Sequence, residues 1–183
     1  MVSLWGNDGA RSAETDAVIA QSKYFTVYAQ AGFSISSLLE RIPFGPSSRM
    51  DSYSRKRDPG LEGVLAESLD ALFEEVSDAL DIQVYDYHGS ICVLPDREAV
   101  VNMVTSIIAC PYDARAFYVH EMNTIYVSAA DVTAGVLGHE IAHAIMSHYF
   151  VVPPPAKVQE ILSGYVEFAL QRSNTAMTPG KKR

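Results

Sequence analysis

His139, Glu140 and His143 stand in the order His-Glu-x-x-His within the apolar run Val136-Leu137-Gly138-His139-Glu140-Ile141-Ala142-His143-Ala144-Ile145. Each helical residue turns by about 100° and rises about 1.5 Å, so the two histidines fall on one face, one turn apart. Two imidazoles so placed can hold one zinc ion, with Glu140 beside them to reach a water that the metal holds. That is the arrangement of metal-assisted hydrolysis, in which the carboxylate is a base and not a ligand.

His and Glu pairs also occur on solvated helix faces without binding anything. With 5 His in 183 residues, a His-Glu-x-x-His pattern arises by chance on the order of once in a hundred such chains. Val136, Leu137, Ile141, Ala142, Ala144 and Ile145 carry no charge, so the helix is expected to be buried almost all round. Buried His and Glu need partners, because an unpaired charge there costs several kcal/mol or more; a metal supplies one.

A catalytic zinc keeps three protein ligands and leaves a fourth position open. His148 is nine residues past His139, about 180° round the same helix, and points away from the metal. The pattern His-Glu-x-x-His-x-x-Gly-x-x-His is excluded, since Met146 and Tyr149 stand where Gly and His would be needed. Glu160 lies early in the next predicted helix, where a reversal at Pro153-Pro154-Pro155 brings the chain back beside His143. Glu167 sits seven residues on, near the same face but about 10 Å further along the axis. Both cannot ligate from one straight helix, so Glu160 is the expected ligand and Glu167 a supporting or surface carboxylate.

These residues resemble the gluzincin metallopeptidases, the group that includes thermolysin and the zinc aminopeptidases. Gln159-Glu160-Ile161-Leu162-Ser163-Gly164-Tyr165-Val166-Glu167 is similar to the aminopeptidases' Asn-Glu-Gly segment with its following Tyr-Val-Glu, and aligns Glu160 with their zinc-binding Glu. Arg115-Ala116-Phe117-Tyr118 is similar to thermolysin's Asn-Ala-Phe-Trp edge strand. The resemblance implies a zincin-like domain, a Zn²⁺ cofactor on His139, His143 and Glu160, Glu140 as catalytic base, and a peptide or protein substrate held at Ala116 and Phe117. It covers residues 116–170. The His143–Glu160 interval is slightly shorter than in the aminopeptidases, and Gly164 stands where thermolysin has Asp, leaving the partner that orients His139 unassigned. The size is that of the minigluzincins, and the missing amine-binding motif favours an endopeptidase. An oxyanion donor is also required; Tyr149, Tyr165, Tyr118 and His120 qualify by type. A zinc-bound regulatory domain, or a latent form with a flanking arm in the cleft, is the alternative.

The elements that must position these residues follow from periodicity. Residues 1–22 read as an arm with a helical patch over 14–21, and 24–29 as the first strand, rich in aromatic and β-branched residues. A helix over 34–41 ends at Pro43, followed by a long excursion to Gly60 whose role is open. Apolar spacing predicts a core-facing helix over 61–80. Residues 82–87 and 91–94 read as a hairpin around His88-Gly89-Ser90, with His88 an exposed turn residue. Pro95 and Asp96 open a helix running to about 109. Residues 116–120 and 123–127 read as a second hairpin, and Ser128 with Asp131 as the start of an active-site helix over 130–149. The last helix spans 156–171.

The fold class expected is α+β: one domain over 23–172 with a small mixed sheet, an edge hairpin, an active-site helix and a C-terminal helix carrying the third ligand, then a tail over 173–183. At 183 residues and 48% hydrophobic content the chain can bury a substantial core. Its net charge of −8 argues against nucleic-acid binding through phosphates. No apolar run reaches the ~20 residues of a membrane span, and no signal-peptide core is visible, so a soluble chain is expected, cytoplasmic, or exported if a signal has been removed. Cys92 and Cys110 form no Cys-x-x-Cys pair, so they are expected as buried thiols and not as zinc ligands.

Overall fold

The computed structural model describes residues 16–42, 60–109 and 113–176. In chain order the elements are β1 (Asp16–Gln21), β2 (Phe25–Gln30), α1 (Ile35–Arg41), α2 (Gly60–Leu80), β3 (Gly89–Leu94), α3 (Arg97–Ile108), β4 (Ala116–Val119), β5 (Thr124–Ser128), α4 (Ala134–Tyr149) and α5 (Ala156–Ala176). The fold is α+β, as the sequence predicts. Most of the arm, the excursion over 43–59, Cys110 and residues 177–183 lie outside the described residues.

The strands form one sheet in the order β1-β2-β3-β5-β4. The outer pairs, β1 with β2 and β4 with β5, are antiparallel, whereas β3 runs parallel to both β2 and β5. Side chains alternate across it with period two. Phe25, Val27, Ala29, Ile91, Val93, Ile125 and Val127 face a core shared with α2, α4 and α5. Cys92, Val119 and Tyr126 face the other way, toward Met103 and Ile107 of α3.

Residues 16–21 are a strand and not the helical patch expected within 14–21. Val18 and Ile19 are β-branched, and the turn after them is locked: Ser22 N–H donates to Phe25 O at 2.8 Å, and Phe25 N–H to Ser22 Oγ at 3.0 Å. Asp70 of α2 then accepts from the backbone N–H groups of Lys23 and Tyr24, pinning the hairpin to the helix layer. The edge of the domain therefore begins earlier than 23.

The hairpin expected around His88 does not form. Ile82, Val84 and Tyr87 are buried as the alternation suggested, but in irregular chain. Both sides of β3 are taken by β2 and β5, so the segment before it has no ladder position to fill. His88 is exposed, as expected, with its ring against Thr26 Oγ1 and Lys23 O.

The second hairpin forms, closed by a short 3-10 turn over His120–Met122 and by Asn123 in the left-handed region at φ 45°. α4 starts later than the box at Ser128 implied. Ser128 Oγ does donate to Asp131 Oδ2, but the helix is capped by Thr133, whose Oγ1 accepts from Val136 N–H. α5 runs past the expected 171 to Ala176, so the first part of the expected tail is helical. Among the described residues no helix is long and apolar enough to cross a membrane.

Candidate metal centre and cleft

α4 and α5 form the scaffold of the site. Gly138, immediately before the first histidine, lets them approach: a Cβ there would sit 2.2 Å from Leu170 Cδ1. Residues 151–155 turn the chain back, and Pro155 O accepts from Val158 and Gln159 N–H at the start of α5. The reversal sets the first turns of α5 beside the later turns of α4. Val166 and Leu170 anchor the buried side of α5 to the core.

On the facing sides, His139 Nε2 and His143 Nε2 are 3.3 Å apart. Glu160 closes the triangle, with Oε2 3.6 Å from His139 Nε2 and Oε1 3.4 Å from His143 Nε2. A small tetrahedral divalent ion with bonds of about 2.0–2.1 Å requires its ligand atoms about 3.3–3.4 Å from one another. The His139/His143/Glu160 group can hold a metal ion.

The far nitrogens of the rings fix their tautomers. Gln159 donates Nε2–H to Pro154 O at 2.7 Å, which leaves its Oε1 facing His143 Nδ1 at 3.3 Å. An acceptor there puts the proton of His143 on Nδ1 and its lone pair on Nε2. His139 Nδ1 is buried, with Glu167 Oε2 3.4 Å away but off the hydrogen-bond direction. A carboxylate only accepts, so its nearness favours the His139 tautomer with the proton on Nδ1. Two lone pairs and a carboxylate then converge on one point, a donor set that a cation satisfies. Burial lowers the His143 pKa, which keeps the ring neutral as a ligand must be.

Glu160 and Glu167 bracket one ring, the first at its Nε2 and the second at its Nδ1. Their backbones lie about 10 Å apart along α5, so the two side chains reach the ring from opposite ends. The partner of His139 that the sequence left unassigned is therefore Glu167. Glu140 is not in the cluster. Its carboxylate turns to the sheet and accepts from Tyr118 N–H at 2.9 Å. Burial pushes its pKa up to about 8; the Tyr118 bond opposes the rise, and the charges of Glu160 and Glu167 add to it.

A cleft of about 460 Å³ opens over the cluster, walled by residues 113–118, by His139, Glu140 and His143, and by Gln159, Glu160 and Glu167. β4 is the edge strand on this side. Ser128 N–H donates to Arg115 O, so in the antiparallel pair residues 115, 117 and 119 bond inward and the backbone of Ala116 and Tyr118 faces outward. Ala116 and Phe117 both line the cleft.

The four oxyanion candidates separate. Tyr149 and Tyr165 are 53% and 57% exposed and do not line the cleft. Tyr149 is six residues past His143 and Tyr165 five past Glu160, which rotates both off the metal face. Tyr118 lines the cleft, but its hydroxyl is engaged by Asn123 Oδ1 at 3.2 Å, and burial pushes its pKa up to about 12. His120 lines the cleft with an exposed ring. His148 points away, as expected, to Asp86 and the Tyr87 ring. Gln159 carried no predicted role, because only its position before Glu160 was visible and not the carbonyl that turns its amide. Cys92 is buried under α3, away from the cluster.

Compared with models of protein families, with curated proteins and with solved structures, the chain matches none.

Proposed function

We propose that this chain is a zinc-dependent peptide hydrolase with a gluzincin-like ligand set, cutting within peptide chains. The observation that carries the reading is the triangle of His139 Nε2, His143 Nε2 and the Glu160 carboxylate, with edges of 3.3, 3.4 and 3.6 Å. Two imidazoles and one carboxylate suit zinc, whereas calcium and magnesium favour oxygen ligands. Bound zinc supplies a Lewis acid that lowers the pKa of water toward about 7 and polarises a carbonyl.

The chain's own residues supply the rest. Glu140 stands beside the ligands as the base that takes a proton from water and passes it to the leaving amine. The outward backbone of Ala116 offers an N–H and a C=O to an extended peptide, which adds to β4 as a further strand. Tyr118 N–H, already bonded to Glu140, ties that edge to the base. Gln159 and Glu167 hold the two rings in their ligating tautomers. Of the four candidate oxyanion donors, His120 is taken for this role, since it lines the cleft with an exposed ring.

Metal analysis of the purified chain, with cleavage of an unstructured polypeptide by wild type and Glu140→Gln, tests this. About one zinc per chain and cleavage lost only in the variant are expected. Zinc uptake without cleavage by wild type would replace the hydrolase with a metal-bound regulatory domain. No zinc uptake would remove both readings.

A further inference from the structure

Glu167 reaches His139 with one oxygen, and its other oxygen is held from two sides. Gln171, one turn further along α5, donates Nε2–H to Glu167 Oε1 at 3.2 Å. Arg115, entering β4, brings Nη2 to 3.8 Å from the same Oε1. Oε2 is thereby left to His139 Nδ1. A third feature makes room. A Cβ on Gly135 would lie 3.2 Å from Glu167 Cγ and 3.3 Å from both Gln171 Cγ and Nε2. That is tighter than ordinary van der Waals contact, so a methyl group there would push both side chains outward.

We propose that Gln171, Arg115 and the bare backbone of Gly135 together form a holder for the Glu167 carboxylate, and so act as positioning residues that fix the ring of His139. The inference rests on the metal-centre reading given above and deepens it. The physical need is plain at His139 Nδ1, which is buried and has no aligned acceptor. A carboxylate free to swing between rotamers would leave that N–H unpaired and the ring free to flip. A carboxylate fixed by its far oxygen keeps Nδ1 protonated and Nε2 aimed at the metal. The three residues come from three elements: Gly135 from the first turn of α4, Arg115 from the approach to β4, and Gln171 from α5. The holder therefore also ties the orientation of His139 to the strand proposed to take substrate.

Arg115 is half exposed, so its part is screened by salt, whereas those of Gly135 and Gln171 are steric and hydrogen-bonded. Gly164 on α5 provides a control, because nothing lies within 4 Å of a Cβ built there. Gly→Ala at either position raises helix propensity alike, so a merely structural effect would move both variants together.

The test uses the full chain labelled with ¹⁵N-histidine. In the metal-free protein the imidazole nitrogen shifts report the tautomer of His139; zinc is then titrated against a competing chelator. Gly135→Ala and Gln171→Leu are expected to mix the tautomers of His139 and to weaken zinc binding about 10–100-fold, as loss of a ligand's orienting partner does. Gly164→Ala should match wild type in both. Arg115→Ala should give a smaller loss that fades at high salt. Wild-type tautomer and affinity in both Gly135→Ala and Gln171→Leu would overturn the holder. Should Gly135→Ala not fold, Gln171→Leu, at an exposed position, decides alone. Because the tautomer is read without metal, failure of wild type to bind zinc would sink the proposed function while leaving the holder still decided by the shifts.

Discussion

His139 Nε2 and His143 Nε2 face each other across 3.3 Å, each ring with its Nδ1 turned outward to an oxygen. Without a cation the two lone pairs repel, and burial disfavours the charged form of His143. Metal should therefore stabilise the fold as well as serve chemistry. Zinc at 100 times its Kd adds about 2.7 kcal/mol, which for a domain of this size raises Tm by roughly 5–10 °C. Thermal melts with and without a chelator check it. His143→Ala should lose the metal and show no difference between the two melts.

Glu140→Gln separates binding from chemistry. The amide oxygen still accepts from Tyr118 N–H, so the link between α4 and β4 survives the substitution. An amide cannot take up a proton, and the loss of a general base costs roughly 10²–10⁴ in rate. The expected variant stays folded, keeps one zinc per chain, and loses hydrolysis. Release of zinc on this substitution would make Glu140 a structural group.

The metal-free protein should lose stability between about pH 6.5 and pH 8. Burial raises the Glu140 pKa from 4.5 to about 8, so above 4.5 the folded chain holds a proton that the unfolded chain has released. Stability from that proton is fully present below 4.5 and is lost as pH rises through 8. His143, lowered by burial from 6.5, acts in the opposite sense, but only at lower pH, which sets the lower limit of the window. The carboxylates of Glu160 and Glu167 face Glu140 and deepen the effect. With chelator present, the Tm should fall from pH 6.5 to 8 in wild type, level off above that, and fall less in Glu140→Gln. Equal slopes would place the titrating group elsewhere.

The parts of this molecule that depend on local spacing were legible in its sequence. The helix carrying His139 and His143, the capped helix after Asp96 and the hairpin around Asn123 each follow from a period or a turn residue within a few positions. Partner choice at longer range was not. The alternation of Ile82, Val84 and Tyr87 reports burial correctly, but whether buried chain joins a ladder depends on β2 and β5, which begin at Phe25, 60 residues before Tyr85, and at Thr124, 39 residues after it. Within the site, residue types gave the three residues that can hold a metal ion. The direction of Gln159's amide, the two oxygens of Glu167 and the clearance at Gly135 exist only once α4 and α5 are packed.

Glu160 and Glu167 should differ in what their removal does to the metal. Glu160 presents both oxygens to the two Nε2 atoms, whereas Glu167 reaches the opposite nitrogen of His139 and nothing else in the triangle. Removing Glu160 deletes a ligand and leaves two neutral imidazoles to carry a divalent charge in a partly buried site. Removing Glu167 leaves all three ligands and loosens one ring, at a cost of about 10–100-fold in affinity. Glu160→Ala should therefore bind zinc more weakly than Glu167→Ala, and both more weakly than wild type. The side chain of Glu160 is 60% exposed and that of Glu167 only 23%, so burial alone predicts the reverse order of damage to the fold. Titration of zinc into the two metal-free variants, beside their melting curves, tells ligand from support. A weaker affinity in Glu167→Ala would move the metal by two turns along α5, and the strand at Ala116 would no longer lie beside it.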